Sequence, residues 1–290
     1  MPSTRNIRRR IRSVKNTSQI TKAMQTVAAS KMRKAQTAAI NGRPFADLAA
    51  RILAHAAQSL EDDYSHPLLE KRSGPKRAVI VIGTDKGLCG ALNANLFREV
   101  SRLDKDHTLF LTAGRKASQF VARTRRQLVA EFSYGDAPTF TDAQAIARAA
   151  QDLFLKGEVD AVDVMFPRFV NTLTQTPTTR PLLPMERLWE NGDAVVEAKG
   201  GNGAAPDYLF EPNAAEVMGA LLRYFLDFQI LQLLQETKAS EQSARMVAMK
   251  NATENANQLI KDLTLAYNKI RQAGITTELL DISTAQLAIS

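Results

Sequence analysis

The sequence of 290 residues has one cysteine, Cys89, so no internal disulfide or dithiol redox pair can form. This is typical of proteins from a reducing compartment, and we interpret Cys89 as a small packing residue. The three histidines, His55, His66 and His107, are far apart and lack metal-ligand spacing. No Ser–His–Asp arrangement or carboxylate pair stands out either. We therefore predict no catalytic site, no metal and no cofactor.

Long uncharged apolar runs are also missing. The most apolar stretch, 217–234, is interrupted by Arg223 and Asp227, so we predict no membrane span. The N-terminal residues MPSTRNIRRR lack the hydrophobic core of a secretory signal. These features predict a cytosolic protein, of bacterial origin or from an organelle after removal of a transit peptide.

Proline and glycine are scarce at both ends of the chain. Residues 5–41 contain neither, and residues 213–290 contain no proline and only two glycines, Gly219 and Gly274. Both segments are therefore predicted to be helical. At 1.5 Å per residue, the C-terminal helix would extend roughly 110 Å, far beyond the usual three or four turns. A helix of this length indicates a mechanical or scaffolding part.

Apolar residues recur along both helices at the spacing of a coiled-coil seam. In the C-terminal helix the predicted seam is Met249, Ala252, Ala256, Leu259, Leu263, Ala266, Ile270 and Ala273. In the N-terminal helix it is Ile7, Ile11, Val14, Ile20, Met24, Ala28, Met32, Ala35 and Ala39. We predict that the two helices pair with each other. The alternative is that both stripes face one globular core.

Acidic residues are absent before Asp47. Up to residue 43 the chain carries eleven basic residues, against a net charge of +8 for the whole protein. They are Arg5, Arg8, Arg9, Arg10, Arg12, Lys15, Lys22, Lys31, Arg33, Lys34 and Arg43. This cluster predicts an acidic partner, and on charge alone nucleic acid, anionic lipid and acidic protein remain open. Residues 276–290 lack Lys and Arg, and their apolar side chains would be exposed unless a partner surrounds them.

Strand and helix patterns alternate between the two long helices. Strands are predicted at 77–83, 108–112, 127–134 and 159–170, and helices at 88–103, 115–124 and 141–156. This order is typical of an α/β domain with a mostly parallel sheet. Segment 178–188 is predicted to be extended, 58–76 to be a linker and 191–206 a mobile loop.

Individual residues refine this prediction. Thr141 and Gly157 are expected to begin and end one helix, and Pro167 to mark an edge strand or a bulge. Pro44 indicates a kink or stop in the N-terminal helix. The basic residues at 115–126 are interpreted as a solvated helix face.

The segment Gly83–Gly90, GTDKGLCG, follows a predicted strand and precedes a helix, where phosphate loops lie. However, it lacks the Gly-Lys-Ser/Thr ending of a phosphate loop and does not match G-x-G-x-x-G. We therefore interpret it as a tight strand-to-helix turn.

Three regions of the chain closely resemble the gamma-subunit family of F-type ATP synthases. The first contains Ser13–Thr17, Ile20–Met24 and Val27–Met32, and the second Asp85–Gly90 with Asn93. The third contains Ala244–Lys250, Ala252–Thr253, Asn255–Ala256 and Arg271–Leu279. The resemblance covers nearly the whole chain. It departs at Thr284, where the family usually has Gly, so the fit of the C-terminal tip is in question.

The resemblance implies an antiparallel coiled coil of the N- and C-terminal helices plus a central Rossmann-like α/β domain. The implied divisions are 1–57, 58–211 and 212–290, with the N-terminal helix continuing past Pro44. It also implies a non-catalytic central-stalk subunit of the rotor. Rotation of the membrane c-ring would turn it, and its asymmetry would drive nucleotide binding, synthesis and release on the beta subunits.

The resemblance also implies partners and contact residues. The partners would be the alpha3beta3 hexamer, the epsilon subunit and the c-ring, at the cytoplasmic face of the bacterial inner membrane. Lys22 and Met24 would meet the beta lever loops, and Arg271 and Gln272 the beta catch loop. Tyr208 and Glu211 would contact the c-ring and epsilon. The competing interpretations are a plain seam residue for Met24 and a solvated charge for Arg271.

Two other function classes remain open from the residues alone. A nucleotide-dependent α/β enzyme with helical arms would bind nucleotide saturably as an isolated chain. A nucleic-acid-binding protein would bind DNA or RNA with a steep dependence on salt.

Overall fold

The computed structural model describes residues 4–58, 66–185, 211 and 213–289. Its helices are α1 (Thr4–Gln58), α2 (Leu92–Ser101), α3 (Arg115–Arg123), α4 (Phe140–Leu155) and α5 (Ala214–Ile289). Its strands are β1 (Arg77–Ile82), β2 (Thr108–Ala113), β3 (Gln127–Phe132), β4 (Ala161–Phe169) and β5 (Gln175–Leu183). These elements form two compact units, one from residues 1–28 with 245–290 and the other from residues 29–244.

The larger unit is built on one five-stranded sheet in the order β3-β2-β1-β4-β5. Strands β1 to β4 pair in parallel, and β5 pairs with β4 in the antiparallel direction. Because β1 lies in the middle, its Ala-Val-Ile-Val-Ile residues are buried on both faces. The predicted α/β class with a mostly parallel sheet is confirmed.

Alternate residues of β1 enter two separate apolar cores. Ile80 and Ile82 pack in the core that contains α4 and the first part of α5. Val79 and Val81 pack in the core that contains α2 and α3. The helices therefore cover both faces of the sheet, as in doubly wound folds.

Strand β4 corrects the prediction drawn from Pro167. The strand lies between β1 and β5, so it is not an edge strand, and its register shift is at Val162/Asp163. Pro167 is tolerated because the pairing of β4 with β1 ends at Met165. The missing N–H group therefore interrupts no hydrogen bond to β1.

Helix α4 begins at Phe140, one residue earlier than predicted. The N-cap is Thr139 rather than Thr141, and its side chain accepts a hydrogen bond from the Asp142 amide at 3.2 Å. The Asp142 carboxylate accepts one from the Thr139 amide at 2.9 Å, which completes a capping box. At the other end Gly157 has φ +74°, so its predicted role in ending the helix is confirmed.

The predicted linker 58–76 is packed against the larger unit from residue 66 onward. Leu68 is 1% exposed within the apolar core. The Arg72 guanidinium lies 4.3 Å from the centre of the Phe154 ring and donates to the Phe154 carbonyl. The linker prediction is wrong there because polar residues flank a buried anchor. The predicted loop 191–206 lies outside the described residues.

Helix α1 continues through Pro44, so a stop at this position, one of the two local predictions, is wrong and the continuation implied by the family resemblance is confirmed. Proline at this position removes the hydrogen bond to the carbonyl of Ile40. Both residues are exposed, so water can solvate that carbonyl.

By length and composition, one described helix could cross a bilayer. It lies within α5, and half of the qualifying window is buried inside the protein. Leu222, Leu226 and Ile230 of α5 belong to the core of the larger unit. The apolar character of this region is therefore used for packing.

Asp227 is a carboxyl group buried on α5. Burial raises its pKa above the usual value, opposed by the Gln144 side-chain amide, which donates to it at 3.4 Å, and by Arg148. Its Oδ1 has no partner among the described residues. Because the folded-state pKa is raised, the native state binds this proton more tightly than the unfolded chain. Stability is therefore lost as the pH rises from the unfolded to the folded pKa.

We expect Asp227→Asn to gain stability relative to the natural protein as the pH rises from about 4 to 7. The amide removes the buried charge, whereas near the unfolded pKa of about 3.9 the natural side chain is itself largely neutral. Denaturant unfolding at a series of pH values measures the difference. Asp152→Asn, at an exposed position on α4, corrects for net charge. A difference independent of pH would contradict this account.

Candidate functional site

The two helices of the smaller unit form a coiled coil with a strict seven-residue repeat. The least exposed α1 positions recur at alternating spacings of four and three: Ile7, Ile11, Val14, Ser18, Thr21, Gln25 and Ala28. Residues at the same spacing line α5: Met249, Thr253, Ala256, Ile260, Leu263, Tyr267 and Ile270. This pattern is the seam of a left-handed coiled coil.

Three side-chain contacts define how the helices are aligned. Arg8 Nη2 donates to the Tyr267 hydroxyl at 2.6 Å. Ser18 Oγ donates to Asn257 Oδ1 at 2.8 Å, and the Thr21 and Thr253 hydroxyls lie 2.7 Å apart. The residue numbers of each pair add to 274 or 275, which means that the numbering rises along one helix as it falls along the other. The helices are therefore antiparallel. The predicted pairing is confirmed.

Several predicted seam residues lie outside this seam. Ile20 is 60% and Leu259 42% exposed, and Ala273 is also exposed. Polar residues occupy seam positions instead, namely the buried Ser18 and Thr21 on α1 and the half-buried Thr253 on α5. The prediction failed there because it followed apolar residues rather than the unbroken repeat.

The alignment also shows where the coiled coil ends. The described part of α1 starts at Thr4, whose position corresponds to residue 271 on α5. Residues 271–284 are all exposed. This lone segment presents Ile275, Leu279, Leu280 and Ile282 at 49–64% exposure. Contiguous apolar side chains of this kind mark a protein contact surface.

Thr284, the departure from the family pattern, fits the lone helix. Its hydroxyl donates to the Leu280 carbonyl at 2.9 Å and lies 3.0 Å from the Asp281 carbonyl. A threonine that satisfies its hydroxyl in this way keeps the helical backbone, whereas glycine in a helix costs roughly 1 kcal/mol relative to alanine.

The predicted beta-contact residues form two separate groups in the smaller unit. Lys22 is exposed and Met24 half-buried beside the α1 seam, while Arg271 and Gln272 are exposed at the start of the lone segment. Met24 lies opposite residues near 250 of α5, about 20 residues from Arg271. That is about 30 Å along the axis. The structure therefore does not bring the two groups together.

The other predicted pair belongs to the larger unit. Glu211 is exposed shortly before α5 begins. Tyr208 lies outside the described residues.

The basic N-terminal cluster lies at the start of α1. Arg5, Asn6, Arg8, Arg9 and Arg12 are all exposed there. Arg9 Nη2 donates to Asn6 Oδ1 at 3.4 Å, whereas Arg8 is engaged with Tyr267. No carboxylate precedes Asp47 in the chain, so this end of α1 offers no acidic side chain of its own to neutralise the basic cluster.

The second basic region, 115–126, is only partly a solvated face. Arg115, Arg123 and Arg125 are exposed, but Arg126 is 7% exposed. Its guanidinium donates to the Leu103 and Ser101 carbonyls at 3.0 and 2.8 Å. Burial lowers the pKa of Arg126. For this residue the prediction was wrong, because it follows the end of α3 and turns inward.

The segment Gly83–Gly90 forms the predicted strand-to-helix turn. Leu88 and Gly90 have φ +62° and +59°, and α2 begins only at Leu92. The Thr84 hydroxyl donates to the Lys86 carbonyl at 2.9 Å and accepts from Asn93 Nδ2 at 2.7 Å. Cys89 is buried, as expected of a packing residue.

A buried charge cluster joins this turn to α5 within the larger unit. Lys238 Nζ lies 3.1 Å from Glu241 Oε2, 4.0 Å from Asp85 Oδ2 and 4.4 Å from the Tyr134 ring centre. The Tyr134 hydroxyl donates to the Gly83 carbonyl at 2.7 Å. Burial raises the Tyr134 pKa far above its usual value, with Glu241 and Asp85 adding to the effect. Tyr134 therefore remains a neutral donor.

Sequence reasoning missed the buried polar residues of both units. Ser18, Thr21 and Thr253 could have been found by continuing the four-and-three repeat through polar positions, whereas the exposed Asn257 lies outside that repeat. Lys238 and Glu241 have an (i, i+3) spacing, which is as typical of an exposed ion pair as of a buried one. No group of three or more His, Cys, Asp or Glu side chains in the described part of the chain could hold a metal.

Known proteins give a consistent comparison. The profile of the family described as ATP synthase matches residues 3–289. The ATP synthase gamma chain of Opitutus terrae is 48% identical over 296 residues, covering 99% of each chain. A chain of the Tetrahymena thermophila mitochondrial ATP synthase central stalk and c-ring is 27% identical, with a TM-score of 0.61. The match covers 80% of this chain and 99% of that one.

A second solved structure supports the fold. A chain of the Euglena gracilis mitochondrial ATP synthase, in a structure of OSCP, F1 and c-ring in rotational state 3, matches with a TM-score of 0.68. The match covers 99% of this chain and 94% of that one at 19% identity. At that identity the match concerns the fold alone.

Proposed function

The chain belongs to the gamma-subunit family of F-type ATP synthases, and on this premise we propose how it couples rotation to catalysis. It is the central-stalk subunit of the rotor and carries no catalytic site of its own. The observation that carries this conclusion is the full-length relationship to ATP synthase gamma chains. The antiparallel coiled coil supports it, because two paired helices resist twisting better than one.

The physical function of this subunit is to transmit the work of several ion crossings to the sites of ATP synthesis. Each charge that crosses a membrane releases about 2.3 kcal/mol per 100 mV. Several crossings must therefore be added together for each ATP. The c-ring supplies the rotation, and the alpha3beta3 hexamer receives it at the beta-subunit sites. Epsilon is the third partner, and nucleic acid is not one.

We assign the contacts on the coiled coil to the beta subunits. Lys22 and Met24 meet the acidic lever loops, since Lys22 is exposed and Met24 is half-buried beside the seam. Arg271 and Gln272 meet the catch loop, because both are exposed where the coiled coil ends. The lone apolar segment that follows turns within the sleeve of the hexamer, where few charges impede rotation.

We assign the contacts with the c-ring and epsilon to Tyr208 and Glu211, shortly before α5. Glu211 is exposed and so is available to a partner. On this assignment, the divisions 1–57, 58–211 and 212–290 correspond to entry helix, α/β body and main shaft helix.

The chain is part of a membrane-associated complex. We propose that it lies at the cytoplasmic face of a bacterial inner membrane as a peripheral component. Its similarity to bacterial gamma chains and its single buried cysteine support this location.

Co-purification tests the proposed function. A tagged full-length chain, expressed with the alpha and beta subunits of its own organism, should elute with a hexamer of several hundred kilodaltons. The hexamer should hold one copy of the chain, and its ATPase activity should turn the chain relative to the surface-fixed hexamer. Elution as a free chain beside an intact hexamer would overturn the proposal.

A further inference from the structure

A polar layer interrupts the apolar seam of the coiled coil. It consists of Ser18 and Thr21 on α1 and Thr253 and Asn257 on α5. Ser18 and Thr21 are each 9% exposed. Ser18 Oγ lies 2.8 Å from Asn257 Oδ1, and the two threonine hydroxyls lie 2.7 Å apart. Every member of the layer therefore has a partner on the opposite helix.

The hydroxyl protons of this layer can be placed consistently. Thr21 Oγ1 lies 3.1 Å from the Ser18 carbonyl, and Thr253 Oγ1 lies 2.8 Å from the Met249 carbonyl. If Thr21 donates to the Ser18 carbonyl, Thr253 donates to Thr21. If Thr253 donates to the Met249 carbonyl, Thr21 donates to Thr253. In both cases neither proton is left without an acceptor.

Stability alone does not account for the layer. A neutral hydrogen bond contributes only about 1 kcal/mol net, and well-packed apolar side chains would be comparably stabilising. Apolar layers, however, do not distinguish one register from another seven residues away. Val14 and Ile260 on one side of the layer, and Ala28 and Met249 on the other, would be buried almost equally after such a slip.

A slip of one heptad would disrupt the polar layer. Thr21 would face Ile260 in one direction or Met246 in the other, and its hydroxyl would lose the cross-helix partner. Each threonine hydroxyl would keep the carbonyl acceptor on its own helix but lose the cross-helix hydrogen bond, which contributes about 1 kcal/mol net. The layer thus adds to the preference for the observed register, as single polar layers do in other coiled coils.

We propose that the Ser18–Asn257 and Thr21–Thr253 pairs set the axial register of the shaft and thereby position the beta-contact residues on its two helices. Lys22 and Met24 are on α1, whereas Arg271 and Gln272 are on α5. A one-heptad slip would change their axial separation by about 10.5 Å. The four layer residues are positioning residues for the rotary reaction, and this second part rests on the proposed function.

Disulfide mapping in the full-length chain tests the register. The test variant carries Ser18→Ala, Thr21→Val, Thr253→Val and Asn257→Leu. Ile11→Cys with Leu263→Cys reports the native register, and Ile11→Cys with Ile270→Cys or Ala256→Cys reports the two slipped ones. The natural layer should give only the native disulfide. The apolar layer should raise slipped disulfides at least ten-fold, with unchanged helix content and an unchanged or higher Tm.

Two further variants distinguish a loss of register from misfolding. The milder Thr21→Val, Thr253→Val variant covers the case in which the quadruple variant misfolds. The control Thr21→Ser, Thr253→Ser keeps both hydroxyls and should restore the single native disulfide. A native disulfide alone in the apolar variants would overturn the register assignment, whatever the protein's function.

The assembled complex tests the link to rotation. In reconstituted vesicles, the apolar-layer variant should pump at least three-fold fewer ions for each ATP hydrolysed, and the serine control should not. Slipped disulfides with unchanged ion pumping per ATP would overturn the positioning role while leaving the register assignment intact. Failure of the natural chain to assemble at all would count against the proposed function instead.

Discussion

Replacing Arg271 by Ala and Gln272 by Leu together should lower ATP hydrolysis by the assembled complex about ten-fold without reducing its yield. Both side chains are exposed at the point on α5 that lies opposite the start of the described part of α1. A charged hydrogen bond to a partner loop contributes about 1.5–3 kcal/mol. Loss of about 1.4 kcal/mol of transition-state stabilisation corresponds to a ten-fold lower rate.

The helix itself should survive this double substitution. The described contact of Gln272 is a backbone one, in which its carbonyl accepts from the Thr276 hydroxyl at 2.9 Å. Alanine and leucine are also good helix formers. The matched control is Gln258→Leu with Lys261→Ala, two exposed residues on the paired part of the same helix. Equal turnover in the test and control complexes would remove the catch-loop assignment.

Reversing the charges of Arg9, Arg10 and Arg12 should reduce the yield of assembled complex at least ten-fold at physiological salt. The three substitutions to Glu change the net charge of an otherwise purely basic segment by six units. Attraction to an acidic surface would become repulsion, which slows encounter and weakens the bound state. The defect should be greatest at low ionic strength, where the charges are least screened.

Arg8 is left unchanged in this variant for a structural reason. Its guanidinium donates to the Tyr267 hydroxyl, so replacing it would also disturb the coiled coil. Arg123→Glu with Arg125→Glu, two exposed residues of the larger unit, changes the net charge by four units and serves as the control for charge reversal away from the coiled coil. Yields of the Arg9, Arg10, Arg12 variant that match this control would contradict the electrostatic account.

The two long helices illustrate what periodic sequence features can establish. The scarcity of proline and glycine, together with regular apolar spacing, predicted their existence, their length and their pairing. The exception at Pro44 shows the limit of a local rule. Proline is unfavourable within a helix, but an exposed site allows water to replace the lost hydrogen bond, and sequence alone does not reveal exposure.

In the α/β body, too, sequence patterns predicted individual elements, whereas their arrangement depended on tertiary packing. Uncharged β-branched runs predicted β1 and β2 because a central parallel strand is buried on both faces. Strand order could not be predicted in the same way. The position of β4 between β1 and β5 depends on pairing between distant segments, and Pro167 alone favoured the wrong location.

The candidate site also combines residues that the sequence identified with an arrangement that only the structure shows. Family resemblance identified Lys22, Met24, Arg271 and Gln272, and the structure adds that the two groups lie about 30 Å apart along the coil. The buried Lys238 cluster could not be foreseen. Its three partners come from α5, the turn after β1 and a residue beyond β3, and chain folding alone brings these together.

The sequence by itself determined the helical character of both ends, their basic and apolar extremes, and the α/β alternation between them, because these depend on composition and local spacing. Only the tertiary structure decided that Ser18 and Thr21 meet Asn257 and Thr253 on the partner helix. The two helices pack against each other along the seam. The angular position of a residue around its helix axis, relative to the partner helix, therefore determines whether its side chain is buried.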